Sequence, residues 1–211
     1  EWLFPKKIVN SSKFCVIHNA VDREKYRYSV QKREEIRGSM GITDQFVIGH
    51  VGNFCYQKNH YFLLDVFEEV HKKDPNTVLL LAGDGVRFEK VRQIVAEKNL
   101  EDVVKLLGRR SDTDYLYQGM DAFLLPSNFE GLPIAGIEAQ SAGLPCFMSD
   151  EITKESKITE ACYFIPLKSG AKYWAEEILD NRMERQSAEF LDNAEQYDLA
   201  NQDQELKSLI R

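Results

Sequence analysis

The chain has 211 residues, 43% of them hydrophobic and 11% aromatic, and a formal net charge of -7. That is enough apolar content for one large domain or two small ones. The acidic balance argues against a nucleic-acid binder, which carries a basic face, although Lys105, Arg109 and Arg110 form a local cluster able to hold a small anion.

Near the start, KFCVIH (13–18) is predicted to be a strand, and an Arg- and Glu-rich helix follows, ending near Gly41. From about residue 46, short apolar runs alternate with longer amphipathic ones, the signal of parallel strands joined by crossover helices. FVIGHV (46–51) reads as a buried strand, and Phe62, Val66 and Val70 recur at helical spacing over roughly 59–73. TVLLLAG (77–83) is the next strand, with Val91, Ile94 and Val95 marking the helix behind it. The pattern repeats with VVKLLG (103–108), a short helix near 113–119 and AFLLP (122–126). A helix near 132–142 and a strand at PCFMS (145–149) follow. The tail from about 171 reads as polar and helical, with Trp174, Ile178, Phe190, Leu199, Leu206 and Ile210 spaced for packing on a sheet edge.

Cys15, Cys55, Cys146 and Cys162 form no CxxC pair and lack a histidine pattern, so they read as reduced, buried thiols of a cytosolic protein. No apolar run of about 18 residues and no signal peptide is present, so a cytoplasmic location is expected. His18, His50, His60 and His71 read as strand-end, core or surface residues. Gly83-Asp84-Gly85 lacks the third glycine of a dinucleotide fingerprint and the acidic residue that should follow, which disfavours a dehydrogenase and leaves a tight turn.

In an open parallel sheet, ligands bind beyond the carboxyl ends of the strands. Here those ends carry GNFCYQKN, GDG, GRR and PSNFEGLP, four polar, glycine-rich loops that suggest one shared site. In SNFEGLPIAGIEAQSAGLP (127–145), Glu130 and Glu138 stand two helical turns apart, about 12 Å at ~1.5 Å per residue. A helix beginning just after Gly131 would present its first amides, Leu132 to Ile134, to an anion, most naturally a phosphate, and Pro133 costs no needed donor. Carboxylates flanking that phosphate can each accept two hydrogen bonds from vicinal hydroxyls, as the ribose and sugar of a nucleotide diphosphate-sugar offer. Two glutamates alone also fit a dipole-favoured charge and a solvated helix face. The apolar context of Glu138 argues against the second half of that reading.

EGLPIAGIEA resembles the E-x7-E signature of retaining glycosyltransferases of family 4, which have the two-domain GT-B fold. GHVGNFCYQKN, LLLAGDG, LLGRR and LLPSNFEGLP match that family's nucleotide-sugar domain in order, over about residues 13–180. The likeness is greatest to bacterial capsule and exopolysaccharide transferases. The resemblance implies an α/β fold: a Rossmann-like parallel sheet flanked by helices, the C-terminal half of a GT-B fold, with a helical C-terminal extension. Residues 1–12 would be the end of a first domain or linker, 13–180 the nucleotide-sugar-binding domain and 181–211 the extension.

Carried over by position, Glu130 contacts the transferred sugar, Glu138 holds the ribose, and Gly131, Leu132 and Pro133 form the turn facing sugar and diphosphate. Lys58 offsets diphosphate charge as the leaving group departs, unless it is a surface lysine before a helix. After Gly52 the family usually has an arginine; Asn53 stands here, so the phosphate grip falls to another residue such as Arg109 or is weakened. Gly108 and Arg109 occupy the place that receives the base, or are a turn glycine and a solvated arginine.

The implied partners are a nucleotide-sugar donor, expected to be a UDP-sugar, and a saccharide or lipid-linked saccharide acceptor bound through an N-terminal domain. Peripheral contact of the full-length protein with the inner membrane face is expected, with no nucleic acid, no cofactor and no required metal. Without the first domain, this chain is expected to fold but not to turn over. A nucleotide-sugar 2-epimerase of the same fold and a non-catalytic nucleotide-binding module are the competing readings.

Overall fold

A computed structural model describes residues 5–11, 14 and 19–209. Apart from Phe14, the predicted strand at 13–18, with Cys15 and His18, lies outside the described residues, as do the expectations for Glu1–Phe4 and Ile210. In chain order the elements are α1 (Lys6–Val9), α2 (Arg23–Tyr26), α3 (Val30–Ser39), β1 (Phe46–Val51), α4 (His60–Lys73), β2 (Thr77–Ala82), α5 (Phe88–Glu97), β3 (Val104–Gly108), α6 (Thr113–Gly119), β4 (Ala122–Leu125), α7 (Ile134–Ser141), β5 (Cys146–Ser149), β6 (Cys162–Ile165), α8 (Gly170–Asp180) and α9 (Leu199–Leu209).

The six strands form one parallel sheet in the order β3-β2-β1-β4-β5-β6. Both faces are covered, so successive residues of one strand enter different cores. Val47, Leu80, Phe123 and Leu125 pack with Ile36, Leu116, Tyr117 and Ile137 of α3, α6 and α7. On the other face, Ile48, Leu79, Leu81 and Leu124 meet Leu63, Phe67, Val91 and Trp174 of α4, α5 and α8. Each fully buried aliphatic side chain contributes about 1.5–3 kcal/mol. These near-continuous apolar runs are why the strands were readable from sequence.

At the amino-terminal end of the sheet, α3 is pinned by charge. Asp121 accepts from Arg33 at 2.5 Å, from Arg37 at 3.2 Å and from the Val47 amide at 2.7 Å. Arg37 spends three further N–H groups on the carbonyls of Gly119, Thr43 and Gln45.

Four expectations are corrected. β6 is an additional strand: CYFI is a half-buried, four-residue edge strand whose apolar signal is short. The tail is not helical throughout. Between α8 and a 3-10 turn at Asp192–Tyr197, residues 181–191 run as a strap, because their backbone finds partners outside a helix. Thr159 and Phe190 form an antiparallel bridge, the Leu191 amide donates to Ile158 O at 2.9 Å, and Gln186 O presses on Gly143. Trp174 and Ile178 are buried as expected, but Phe190, Leu199 and Leu206 are exposed rather than packed on a sheet edge. Cys146 and Cys162 are buried free thiols in register on β5 and β6, whereas Cys55 is only half-buried.

Candidate functional site

The strand order reverses between β1 and β4, and the crevice outside their carboxyl ends is where this topology binds ligands. The loops after these two strands are tied together: the Asn128 amide donates to Gln57 O at 2.8 Å and Asn128 Nδ2 to Tyr56 O at 2.7 Å. Asn59 then takes a left-handed conformation (φ 54°) to start α4, a geometry that asparagine tolerates better than most residues.

This arrangement brings Lys58 onto Glu130, with Nζ 2.6 Å from Oε1 and side chains only 13% and 12% exposed. The surface-lysine reading of Lys58 does not hold. Ser127 donates to the other carboxylate oxygen, Oε2, at 2.9 Å. Gly52 makes the fold-back possible, since a Cβ there would lie 2.8 Å from His50 Nε2 and 3.2 Å from Lys58 Cε.

Below Lys58 sit two buried imidazoles, His50 and His60, edge to face at 4.8 Å. His50 donates from Nδ1 to Leu124 O at 2.8 Å, which leaves Nε2 as the bare nitrogen, and Nε2 has no partner among the described residues. Burial, and then the Lys58 charge, holds His60 down to about 4. Burial also holds His50 well below its ordinary range, followed by the influence of His60. Both are neutral core residues, as expected from the sequence.

A second group of residues lines a cavity of about 400 Å³: Asn53, Gly83, Asp84, Gly85 and Arg109. Gly83 (φ 143°) and Gly85 (φ 151°) take backbone conformations that side chains rarely adopt, and Asn53 Oδ1 would lie 2.3 Å from a Cβ on Gly85. The GDG stretch is not itself the tight turn expected: it leads from β2 into a turn at 85–88, closed by Phe88 N donating to Gly85 O at 3.0 Å, and packs on the β1 loop through Phe54 N donating to Asp84 O at 2.9 Å. Gly108 turns the chain (φ 62°), and Arg109 is exposed and makes no ion pair among the described residues. Its neighbour Arg110 is held by Asp112 at 2.5 Å. Arg109 is thus both solvated and an unspent cation beside Asn53.

α7 starts at Ile134, two residues later than expected, because Pro133 is extended (ψ 104°) and forms the cap rather than the first turn. The Gly136 and Ile137 amides return to Pro133 O at 2.9 and 3.2 Å. The amides of Gly131, Leu132, Ile134 and Ala135, which follow Glu130 in the chain, donate to nothing among the described residues. That is an anion-receptive helix start beside an ion pair.

Glu138, four residues into the helix, is not solvated at random. Tyr26 donates to its Oε1 at 2.6 Å and Tyr117 to its Oε2 at 2.9 Å. Sequence reasoning missed both tyrosines, because no spacing rule links α2 and α6 to α7. The structure therefore joins Lys58, Glu130, Gly52 and the Gly131–Pro133 turn at one point, and gathers Asn53 and Arg109 in the adjoining cavity. Glu138 makes no ion pair with Lys58 and is held by hydroxyls instead. Such a crevice can meet phosphate charge with one ammonium and free amides, and can bind hydroxyls with two fixed carboxylates.

The family model described as "Glycosyl transferases group 1" matches residues 32–197. The putative glycosyltransferase EpsF of Bacillus subtilis is 34% identical over 156 residues, covering 74% of this chain and 41% of the relative. An Escherichia coli protein named UDP-Gal:alpha-D-GlcNAc-diphosphoundecaprenol alpha-1,3-galactosyltransferase is 33% identical over 146 residues, covering 67% and 38%. The chain spans about two fifths of the length of these curated relatives. HepE of Anabaena, solved in complex with UDP and glucose, superposes with a TM-score of 0.76 at 20% identity, over 93% of this chain and 56% of that one, a likeness of fold. On the extent of the family match and of these identities, the chain belongs to the group 1 glycosyl transferases.

Proposed function

We propose that this chain is the donor-binding half of a retaining glycosyltransferase. The whole protein would pass a sugar from a nucleotide diphosphate-sugar, a UDP-sugar, to a saccharide acceptor in capsule or exopolysaccharide assembly. The observation that carries this reading is the half-buried Lys58–Glu130 pair at the switch point of the sheet, set against the free amides of Gly131, Leu132, Ile134 and Ala135. Support for the donor comes from one relative named for transfer from UDP-Gal and from HepE, solved with UDP and glucose. Amylovoran biosynthesis glycosyltransferase AmsD of Erwinia amylovora, 31% identical over 108 residues, supports the polysaccharide context.

In this reading the nucleotide enters with its base against Gly108 and Arg109, its ribose at Glu138 and its diphosphate at the start of α7. Lys58 has three N–H donors and gives one to Glu130, leaving two for phosphate oxygens. Glu130, fixed by Lys58 and Ser127, has lone pairs left for hydroxyls of the sugar. As the bond from the anomeric carbon to the phosphate oxygen breaks, its electron pair goes to the diphosphate, whose added charge is met by Lys58 and the amides rather than by a required metal. The acceptor hydroxyl attacks from the leaving-group face of an oxocarbenium-like sugar, and its proton passes to the departing diphosphate oxygen. A lipid-linked acceptor would be held by a further domain at the inner membrane face of the cytoplasm. Among the described residues, no helix is long and apolar enough to cross a membrane. Asn53 brings no charge to the diphosphate, and Arg109 across the cavity is the candidate to replace it.

Calorimetric titration with UDP, GDP and ADP tests this reading. UDP is expected to bind selectively, and Glu138→Ala and Lys58→Met each to weaken it about tenfold or more, the loss of hydrogen bonds to a charged group. Absence of binding by all three nucleotides, or binding indifferent to both substitutions, would overturn it.

A further inference from the structure

Glu130 and Glu138 belong to one signature but are held by opposite chemistry. Glu130 is neutralised by Lys58. Glu138 has no ion pair among the described residues, and its two oxygens accept only from Tyr26 and Tyr117. A carboxylate offers about four lone-pair positions, so one tyrosine on each oxygen leaves one open position per oxygen. Two open positions on one rigid carboxylate match two neighbouring hydroxyls.

The donors are themselves fixed. Tyr117 is fully buried and its hydroxyl also reaches Ala135 O at 3.3 Å. Tyr26 is nearly buried, and its backbone is stapled to α6 by Gln118 Nε2 donating to Tyr26 O at 3.0 Å. The two rings meet edge to face at 5.7 Å. Burial, followed by the hydrogen bond to Glu138, raises the Tyr26 hydroxyl above its ordinary range; burial and the charge of Glu138 do the same for Tyr117, so both stay protonated donors. Tyr26 lies upstream of residues 32–197, so half of this arrangement comes from outside the segment that matches the family.

We infer that Tyr26 and Tyr117 are positioning residues that clamp the Glu138 carboxylate in one orientation, so that its free lone pairs receive the two ribose hydroxyls of the donor. This rests on the nucleotide reading above. Without the clamp, the carboxylate would rotate and the ribose would have to order it on binding. A fixed acceptor pair therefore lowers the ordering cost of recognition.

The test uses the 211-residue chain, UDP, and the analogue lacking both ribose hydroxyls, 2′,3′-dideoxy-UDP. Tyr26→Phe and Tyr117→Phe keep the rings and remove one donor each, and a thermal melt verifies that each variant is folded. Each is expected to weaken UDP about three- to tenfold, less than the loss of Glu138 itself, because the tyrosines act on the ribose only through that carboxylate. Affinity for the dideoxy analogue should change less than about twofold, and Tyr26→Phe should add nothing in a Glu138→Ala background. Equal loss for both ligands, further loss in the Glu138→Ala background, or unchanged UDP affinity in Tyr26→Phe would overturn the clamp, and the last needs no change to the buried Tyr117. If the wild-type chain fails to bind UDP, or binds it without regard to Glu138, the nucleotide reading itself falls and the clamp's purpose with it.

Discussion

At the amino-terminal ends of β1 and β4, Asp121, Arg33 and Arg37 spend nearly all their hydrogen-bonding capacity on one another and on the backbone of Val47, Gln118, Gly119, Met120, Thr43 and Gln45. At the carboxyl ends of the same strands, Lys58, Glu130, Glu138 and Arg109 keep donors and lone pairs unspent, and four amides around Pro133 point at nothing among the described residues. Burial is similar at the two ends, with side-chain exposures of 12% for both Asp121 and Glu130. What differs is saturation. A closed network can only hold elements together, whereas an open one carries surplus capacity that a ligand can take up.

The largest effect that sharpens this contrast is Asp121→Ala. It strands two guanidinium groups of α3 that are largely shielded, and should cost about 3–5 kcal/mol of stability in a denaturant titration. Affinity for UDP in the folded fraction should stay within about twofold. A large affinity loss without a stability loss would break the division between the two ends.

Acid should expose the opposite cost, under the site. His50 and His60 are held neutral below 6.5, His60 at about 4. The unfolded chain therefore binds more protons once pH drops below about 6.5. Stability from this pair is complete above that value and is lost as pH falls from about 6.5 to 4, by roughly 3 kcal/mol for His60 at ~1.4 kcal/mol per pH unit. Chemical denaturation followed across that range checks it, and His60→Phe should flatten the slope.

Much of this contrast could be read from sequence only at the carboxyl ends. The strands were legible because parallel strands buried on both faces appear as continuous apolar runs, and loops such as GNFCYQKN and PSNFEGLP interrupt them with polar residues. Glu130, Glu138 and Lys58 could therefore be flagged, but not the contact between Lys58 and Glu130, which joins loops 72 residues apart. Arg33 and Arg37 were passed over as part of a charged helix. Their four-residue spacing puts both on one face, and Asp121, a lone acid just before the apolar run of β4, was the available signal. Tyr26 gave no signal, since an isolated tyrosine on a one-turn helix has no period to read. The strap at 181–191 misled because a polar stretch of that composition can be helical until tertiary partners claim its backbone.

The most direct measurement is to add UDP to the isotopically labelled chain and follow the backbone amide resonances. The shifts are expected to gather at Gly52, Asn53, Gly108, Arg109, Gly131, Leu132, Ile134 and Ala135, with Val47 and α3 unmoved. Shifts centred on Arg33, Arg37 and Val47, or no saturable shift anywhere, would contradict the assignment of binding to the open end of the sheet.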